Sequence, residues 1–130
     1  MTVLLLDTHA YVWALTDPGR LSHRARTAIE TATNTVLVSA ATTWEIAIKH
    51  RAGKWPEAEI LLAQHDALTR RLGAQALDIS AADTIRAGSL DWDHADPFDR
   101  MLAAQSLLHQ AALVTRDKAF RKLRGLTITW

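Results

Sequence analysis

Four acidic residues lie at the ends of predicted strands or in the helices that connect them, where carboxylates can take part in chemistry. They are Asp7, Glu45, Asp99 and Asp117. In a parallel α/β sheet the carboxyl ends of the strands form one crevice, and ligands bind there. Carboxylates gathered in that crevice repel one another unless a cation lies between them, and a hard ion such as Mg²⁺ prefers oxygen ligands. The pattern therefore predicts a metal-dependent enzyme that acts on phosphodiesters.

Three of these acids also have a structural interpretation that needs no metal. Asp7 and Asp117 each follow a predicted strand and could cap the next helix by accepting a backbone N–H. Glu45 lies too deep in its helix to cap it, but it could pair with Lys49 at i,i+4, which stabilises a helix by only about 0.2–0.5 kcal/mol. Metal binding is favoured because the acids follow several strands that one sheet would bring together.

The fourth acid, Asp99, has a second carboxylate, Asp96, close to it in sequence. Asp96 and Asp99 flank Pro97 at a predicted helix start, and both could complement the positive end of that helix. Their i,i+3 spacing also places the two carboxylates on neighbouring sides of one turn, so they could share an ion. Asp96 is therefore an additional candidate ligand, and the spacing leaves open which of the two acids lies closer to the metal.

Strands and helices alternate along the whole chain. Short apolar or β-branched runs predict strands, and apolar residues at helical spacing between capping and terminating residues predict helices. The predicted strands are 3–7, 35–38, 76–79, 112–115 and 126–129. The predicted helices are 8–15, 21–33, 39–52, 57–72, 80–87, 97–110 and 118–123. This order predicts an α/β fold with a parallel sheet and helices on both of its faces.

Composition narrows the class of protein further. The 130 residues correspond to a single domain, residues 1–130, and the 48% hydrophobic and 22% charged content is ordinary for a globular protein. Cysteine is absent, which excludes disulfides, thiolate catalysis and cysteine-based zinc sites and fits a cytoplasmic location. No apolar run is long enough to span a membrane. The net charge of +1 gives no strong global attraction to nucleic acid.

A local basic cluster compensates for the weak overall charge. Arg116, Lys118 and Arg121 surround Asp117, and they are the candidates for binding substrate phosphates. No Gly-rich phosphate-binding loop is present. A receiver-like regulatory domain with an acidic Mg²⁺ pocket is a further possibility, but its third strand would offer only Asp78 and would leave Glu45 without a role.

Four segments resemble motifs of the PIN-domain family, in the family's order and spacing. They are Leu4-Leu5-Leu6-Asp7-Thr8-His9, the stretch 39–49 with Glu45, the stretch 94–105 with Asp-Pro-Phe-Asp-Arg, and Leu113-Val114-Thr115-Arg116-Asp117. Any one of these motifs is weak, whereas four in sequence are specific. The length of the chain is similar to that of the VapC toxins of bacterial toxin–antitoxin pairs.

The resemblance implies a five-stranded parallel sheet, binding of Mg²⁺ or Mn²⁺, and endoribonuclease activity. It places Asp7, Glu45, Asp99 and Asp117 in the catalytic and metal site, favours Asp99 over Asp96 as the principal acid of its motif, and suggests that Thr115 orients a water or a phosphate. One or two metal ions remain possible. A PIN-fold protein that processes or binds RNA without being a toxin is the alternative function.

The same resemblance implies protein partners. A VapB-like antitoxin would insert an arginine into the acidic cleft and wrap a disordered segment around the protein, and the toxin itself would form a homodimer. The apolar helices around Trp13, Ile46 and Leu61-Leu62 are expected to supply the groove for that segment.

Overall fold

The computed structural model describes all residues from Met1 to Trp130. Five strands form one sheet in the order β3-β2-β1-β4-β5, and every neighbouring pair is parallel. The strands are β1 Val3–Leu6, β2 Thr35–Ser39, β3 Ala74–Leu77, β4 Ala112–Val114 and β5 Ile128–Thr129. The predicted α/β fold with a five-stranded parallel sheet is therefore confirmed.

Seven α-helices connect the strands. They are α1 Thr8–Thr16, α2 His23–Glu30, α3 Ala40–Arg51, α4 Ala58–Ala63, α5 His65–Arg71, α6 Ala81–Ser89 and α7 Pro97–Leu108. Two short 3₁₀ turns, Pro18–Arg20 and Lys118–Lys122, complete the connections. None of the helices is both long and apolar enough to cross a membrane.

Each face of the sheet carries its own packed layer. Successive side chains of a strand point to opposite faces. Accordingly, Leu4 and Leu6 belong to one buried cluster with residues of α1 and α2, whereas Leu5 belongs to a second cluster with Leu102 of α7 and Phe120. These side chains are almost fully buried, and each contributes about 1.5–3 kcal/mol by leaving water. The arrangement is a three-layer fold with a rigid central sheet.

Local signals explain most of the helix boundaries. The Ser22 and Ser39 hydroxyls cap α2 and α3 by accepting from backbone N–H groups. Ser80 and Asp83 cap α6 reciprocally, and Pro97 occupies the first turn of α7. These features match the sequence-based predictions.

Several boundaries differ from the prediction. Helix α2 begins two residues later and ends three residues earlier, β5 begins two residues later, α7 ends two residues earlier, and the helix expected over 118–123 is a 3₁₀ turn. The single helix expected over 57–72 is broken at Gln64, where the backbone leaves helical values and separates α4 from α5. Strand β3 begins at Ala74 rather than at residue 76, directly after Gly73, whose φ of +72° ends α5. Because β3 lies at the edge of the sheet and contains two alanines, its apolar pattern is weak, and the sequence placed it two residues too late.

Candidate functional site

Asp7 lies where β1 meets α1, at the carboxyl edge of the sheet. Its backbone N–H donates to the Val114 carbonyl oxygen at 3.0 Å, which continues the pairing of β1 with β4. Its Oδ1 accepts from the Ala10 N–H at 2.8 Å and caps α1. Burial raises the pKa of Asp7, although hydrogen bonds from the Thr115 hydroxyl and the Ala10 amide act in the opposite direction. The predicted capping role is real, but it leaves Oδ2 free.

Glu45 approaches Asp7 from α3. Its Oε1 accepts from the Thr8 hydroxyl at 2.7 Å, and its Oε2 lies 3.7 Å from the Lys49 ammonium. The negative charge of Glu45 contributes to raising the pKa of Asp7, so the two carboxylates repel each other across the crevice. The pairing of Glu45 with Lys49 expected from the sequence is present, and it coexists with the approach to Asp7.

Asp117 meets Asp7 in a hollow of about 250 Å³ at the end of β4. Asp117 Oδ1 accepts from the Ala119 N–H at 2.9 Å and caps the following 3₁₀ turn. Thr115 is buried, and its hydroxyl accepts from the Asp117 N–H at 3.0 Å. Since that hydroxyl also lowers the pKa of Asp7, Thr115 lies beside the Asp7 carboxylate and fixes the backbone of Asp117. Its predicted contact with a water or phosphate stays a prediction.

Asp99 and Asp96 approach from the start of α7. Asp96 caps the helix through Oδ1, which accepts from the Phe98 and Asp99 N–H groups. Asp99 Oδ2 lies 2.7 Å from His94 Nε2. Burial, together with the charges of Asp96 and Asp117, raises the pKa of Asp99 to about 6, against the lowering effect of its bond to His94. Repulsion from Asp117 shows that α7 and β4 bring these acids close together.

The five candidate acids thus form a connected set, although they do not converge on one point. The charge of Glu45 raises the pKa of Asp7, and Asp7 shares a hollow with Asp117. The charges of Asp117 and Asp96 raise the pKa of Asp99. No three His, Asp or Glu side chains lie close enough to hold one ion between them. The donor set still fits Mg²⁺, which prefers oxygen and is usually bound through one or two carboxylates and several waters.

Of the predicted substrate-binding cations, Arg116 lines the hollow that holds Asp7 and Asp117. Arg116, Lys118 and Arg121 are all exposed. None of them takes part in the four ion pairs of the structure. The Arg116 guanidinium carbon lies 4.8 Å from the centre of the Trp13 ring. The structure therefore places positive charge beside Asp117, as expected, and leaves it accessible to a phosphate.

Three side chains that support the acids were not identified from the sequence. Thr8 holds Glu45, and His94 holds Asp99. Arg100 donates to the backbone carbonyl oxygens of Ala87, Leu90, Trp92 and His94, so it fixes the loop that carries His94. Thr8 and His94 adjoin the acidic motifs in sequence, which is a signal that could have been used. The role of Arg100 depends on loop geometry that no local pattern encodes.

The sequence-based prediction of an apolar groove for a protein partner named residues that the structure buries. Trp13, Ile46 and Leu61 all belong to the buried core, and Leu62 is half-buried against it. Helices α1, α3 and α4 turn these side chains toward the sheet, so the side chains are not available to a partner. The large apolar side chains that do reach solvent are Trp44, Ile48, Ile60, Ile85 and Leu108.

A parallel α/β sheet with carboxylates gathered at one edge defines the general class of this protein, and comparison with known proteins defines the family. The family model of the PIN domain matches residues 4–126. The chain therefore belongs to the PIN-domain family. It is also similar to Ribonuclease VapC22 of Mycobacterium tuberculosis, with 32% identity over 124 residues that cover 95% of this chain and 94% of the relative.

Solved structures support the same fold. A DNA-bound VapBC complex from Salmonella typhimurium contains a chain that matches with a TM-score of 0.73 and 21% identity, covering 98% of this chain and 97% of the other. VapBC2 from Rickettsia felis, bound to a fragment of its promoter, matches with a TM-score of 0.71 and 19% identity over the same shares of the two chains. At these identities the likeness shows the fold.

Proposed function

We propose that this protein is a metal-dependent endoribonuclease and the toxin of a VapBC-type pair. The observation that carries the catalytic part is the connected set of carboxylates at the carboxyl edge of the sheet, where burial and mutual repulsion raise the pKa of Asp7 and Asp99. Burial without a compensating cation is unfavourable for such a set. The 32% identity to a VapC ribonuclease over nearly the whole chain supports RNA as the substrate.

The ion is Mg²⁺ or Mn²⁺, and it would be held through one or two of the carboxylates of Asp7, Asp99 and Asp117 together with several waters, with Glu45 and Asp96 at the periphery. When bound, such an ion supplies an activated water and offsets charge on the phosphoryl oxygens. Capping uses only Oδ1 of Asp7, Asp96 and Asp117, so each of these carboxylates keeps a second oxygen for the ion.

The surrounding residues act on the acids and on the substrate. Thr8 and Thr115 orient Glu45 and Asp7 by hydrogen bonding. His94 holds Asp99 in place through the 2.7 Å bond. Arg116, Lys118 and Arg121 bind phosphates of an unpaired RNA segment, whose splayed bases and accessible backbone suit an open crevice.

A VapB-like antitoxin is the proposed partner, because the relatives with this fold were solved as VapBC complexes. An arginine of that partner can pair with the carboxylates that the metal would otherwise bind. Self-association is also proposed. Trp44, Ile48 and Ile85 are 58%, 47% and 72% exposed, and Trp44 lies beside an apolar hollow of about 200 Å³ next to α7. An exposed apolar surface of this kind is typical of an interface.

The catalytic proposal is tested with purified protein and a single-stranded RNA. Cleavage is expected with Mg²⁺ or Mn²⁺ and is expected to stop in excess EDTA. Asp83→Asn serves as the matched control, because Asp83 lies near α7 but outside the crevice. Cleavage that persists in EDTA, or that survives Asp7→Asn, would contradict the proposed metal site.

The toxin proposal is tested by co-expression with the product of the neighbouring gene, followed by light scattering and a nuclease assay. A tight complex that contains two copies of this chain and has lost nuclease activity is expected. A chain that remains monomeric and fully active beside that gene product would remove the toxin role and leave the nuclease role standing.

A further inference from the structure

A second cleft opens beside the acidic hollow, and its lining contains basic, aromatic and acidic side chains. It has a volume of about 490 Å³. Its basic and aromatic lining residues are His9, Trp13, Arg20, Trp55 and Arg116, and Asp17 and Glu57 also line it. Three of these residues, His9, Trp13 and Arg116, also line the hollow that holds Asp7 and Asp117. The two spaces are therefore continuous, and a polymer that crosses the acids can extend directly into the cleft.

Trp13 holds two guanidinium groups in this cleft. The Arg20 and Arg116 guanidinium carbons lie 4.7 Å and 4.8 Å from the centre of the Trp13 ring. Trp13 is itself part of the core and only 7% exposed, so it forms a rigid floor. A cation over an aromatic face is attracted by the ring and loses some of its freedom. The two positive groups are thus positioned before any ligand arrives.

Neither guanidinium forms an ion pair within the protein, and the acids that line the same cleft are Asp17 and Glu57. Arg20 and Arg116 are exposed, and neither belongs to any of the four ion pairs. They come from distant parts of the chain, since Arg20 lies in the 3₁₀ turn after α1 and Arg116 follows β4. The fold therefore brings two positively charged side chains to the same aromatic ring. A phosphate, which accepts planar bidentate hydrogen bonds from arginine, matches this pair.

The opposite wall of the cleft is aromatic. His9 is exposed and packs edge-on against Trp55, with ring centres 5.6 Å apart. Trp55 is half-buried and carries the Lys49 ammonium 5.4 Å from its ring centre. Aromatic side chains beside a positive groove are the usual means of binding single-stranded nucleic acid, because every base offers a face for stacking.

We propose that this cleft binds the nucleotide next to the scissile phosphate, with its phosphate between Arg20 and Arg116 and its base against the His9–Trp55 wall. The proposal rests on the endoribonuclease function above and adds Arg20, Trp55 and His9 to the residues that engage RNA, while the buried Trp13 positions the two arginines. Arg20 is the informative position, because it does not line the hollow that holds Asp7 and Asp117 and belongs to none of the four ion pairs.

The test compares Arg20→Gln with Arg24→Gln in the full-length protein. Arg24 is also exposed and unpaired, lies four residues further along and is not among the residues that line the cleft, so it controls for the loss of one positive charge. Affinity is measured by fluorescence anisotropy in EDTA, with a labelled, unstructured oligoribonucleotide of about 10 nucleotides. The same RNA is then used for cleavage with Mn²⁺.

Arg20→Gln is expected to weaken binding about tenfold, as the loss of a charge-assisted contact would. It should also lower the slope of log K against log salt by about 0.7, which corresponds to one phosphate contact on a single strand. Arg24→Gln should change neither quantity. Equal affinities and equal slopes for the two variants would overturn the proposal.

Binding and cleavage separate this proposal from the function on which it rests. If wild-type protein cleaves RNA while the two variants bind it equally, the cleft proposal fails and the nuclease stands. A different outcome is that the wild-type protein cleaves no RNA while Arg20→Gln still binds RNA more weakly and with a smaller salt dependence. In that case the cleft binds nucleic acid and the nuclease proposal fails. If Arg20→Gln leaves RNA binding unchanged and loosens only the complex with the neighbouring gene product, the cleft serves a protein and the proposal is overturned.

Discussion

Two histidine–aspartate pairs lie at opposite ends of α7, and their carboxylates behave in opposite ways. At the start of the helix, His94 Nε2 lies 2.7 Å from Asp99, whose side chain is 24% exposed. At its end, His109 Nε2 lies 3.4 Å from Asp83, whose side chain is 3% exposed. The pKa of Asp99 is raised to about 6, whereas that of the more buried Asp83 is lowered.

Burial alone therefore does not decide which carboxylate is destabilised. Burial raises the pKa of Asp83, but hydrogen bonds from the Gln105 amide and the Ser80 N–H, together with the charge of His109, outweigh it. Asp99 has one hydrogen-bond partner and two nearby carboxylates, Asp96 and Asp117. The lesson is that Asp83 is a satisfied structural group, whereas Asp99 remains electrostatically unfavourable until a cation joins it.

The two aspartates should differ most in their effect on the rate of RNA cleavage. Asp99→Asn is expected to reduce RNA cleavage by on the order of 10²-fold or more, because it removes a metal ligand in the crevice. Asp83→Asn should leave the cleavage rate close to that of the wild type at temperatures where it is folded. Rates measured at saturating Mn²⁺ check this. Similar losses in the two variants would show that α7, rather than the acid, controls activity.

Stability should change in opposite directions at the two sites. Asp83→Ala removes one half of the α6 capping box, the bond from the Ser80 N–H, and leaves the Gln105 amide short of a partner, which should cost about 1–3 kcal/mol. Asp99→Asn should stabilise the protein in EDTA by about 1–2 kcal/mol, a figure reduced from the full effect of the pKa shift because the side chain is partly exposed. Urea unfolding in EDTA measures both changes. A destabilised Asp99→Asn protein would contradict the repulsion argument.

The pH dependence of stability provides a finer distinction. The pKa of Asp99 rises from 3.8 unfolded to about 6 folded, so its favourable contribution is complete below pH 3.8 and is lost as the pH rises to about 6. The stabilisation by Asp99→Asn should therefore grow across that window and stay constant above it. Asp83 has a lowered pKa, so its contribution is present above pH 3.8 and is lost as the pH falls. Unfolding curves from pH 4 to pH 7 check the sign for Asp99→Asn.

The histidines themselves should show the smallest difference. His109 is 38% exposed and its contact with Asp83 is long, so His109→Gln should cost at most about 0.5 kcal/mol. His94 also stacks on Trp92, with ring centres 4.4 Å apart, so His94→Gln should cost about 1 kcal/mol. Thermal unfolding at pH 7 resolves the two values. A larger loss of stability for His109→Gln than for His94→Gln would contradict the claim that the His94–Asp99 pair is the stronger of the two.

The sheet and the acidic edge were predictable because they follow from local patterns. Apolar runs predicted the strands, and their alternation with helices predicted the parallel arrangement. Asp7 directly follows β1, and Asp117 lies three residues after the end of β4, its neighbour in the sheet. Asp96 and Asp99 were predictable because Pro97 marks the start of α7 and the two acids flank it. Periodicity and cap chemistry were sufficient for these features.

Features that depend on which face a helix turns inward were not predictable. Ile46 and Leu61 have the sequence appearance of a docking surface, yet α3 and α4 bury both of them. Likewise, nothing in the sequence places Arg20 over Trp13, because that contact depends on the direction taken by the 3₁₀ turn after α1. The break at Gln64 has no glycine or proline to announce it, so it too required the structure.

The most direct test of the central claim is a titration of the metal-free protein with Mn²⁺, followed by the loss of the free-ion electron paramagnetic resonance signal. Wild-type protein and Asp83→Asn should bind Mn²⁺ with the same affinity, and Mg²⁺ should displace it. Asp7→Asn, Asp99→Asn and Asp117→Asn should each bind it more weakly, by about tenfold or more. Wild-type protein that binds no Mn²⁺, or an Asp99→Asn protein that binds it as well as the wild type, would contradict the claim that these carboxylates form a divalent-metal site.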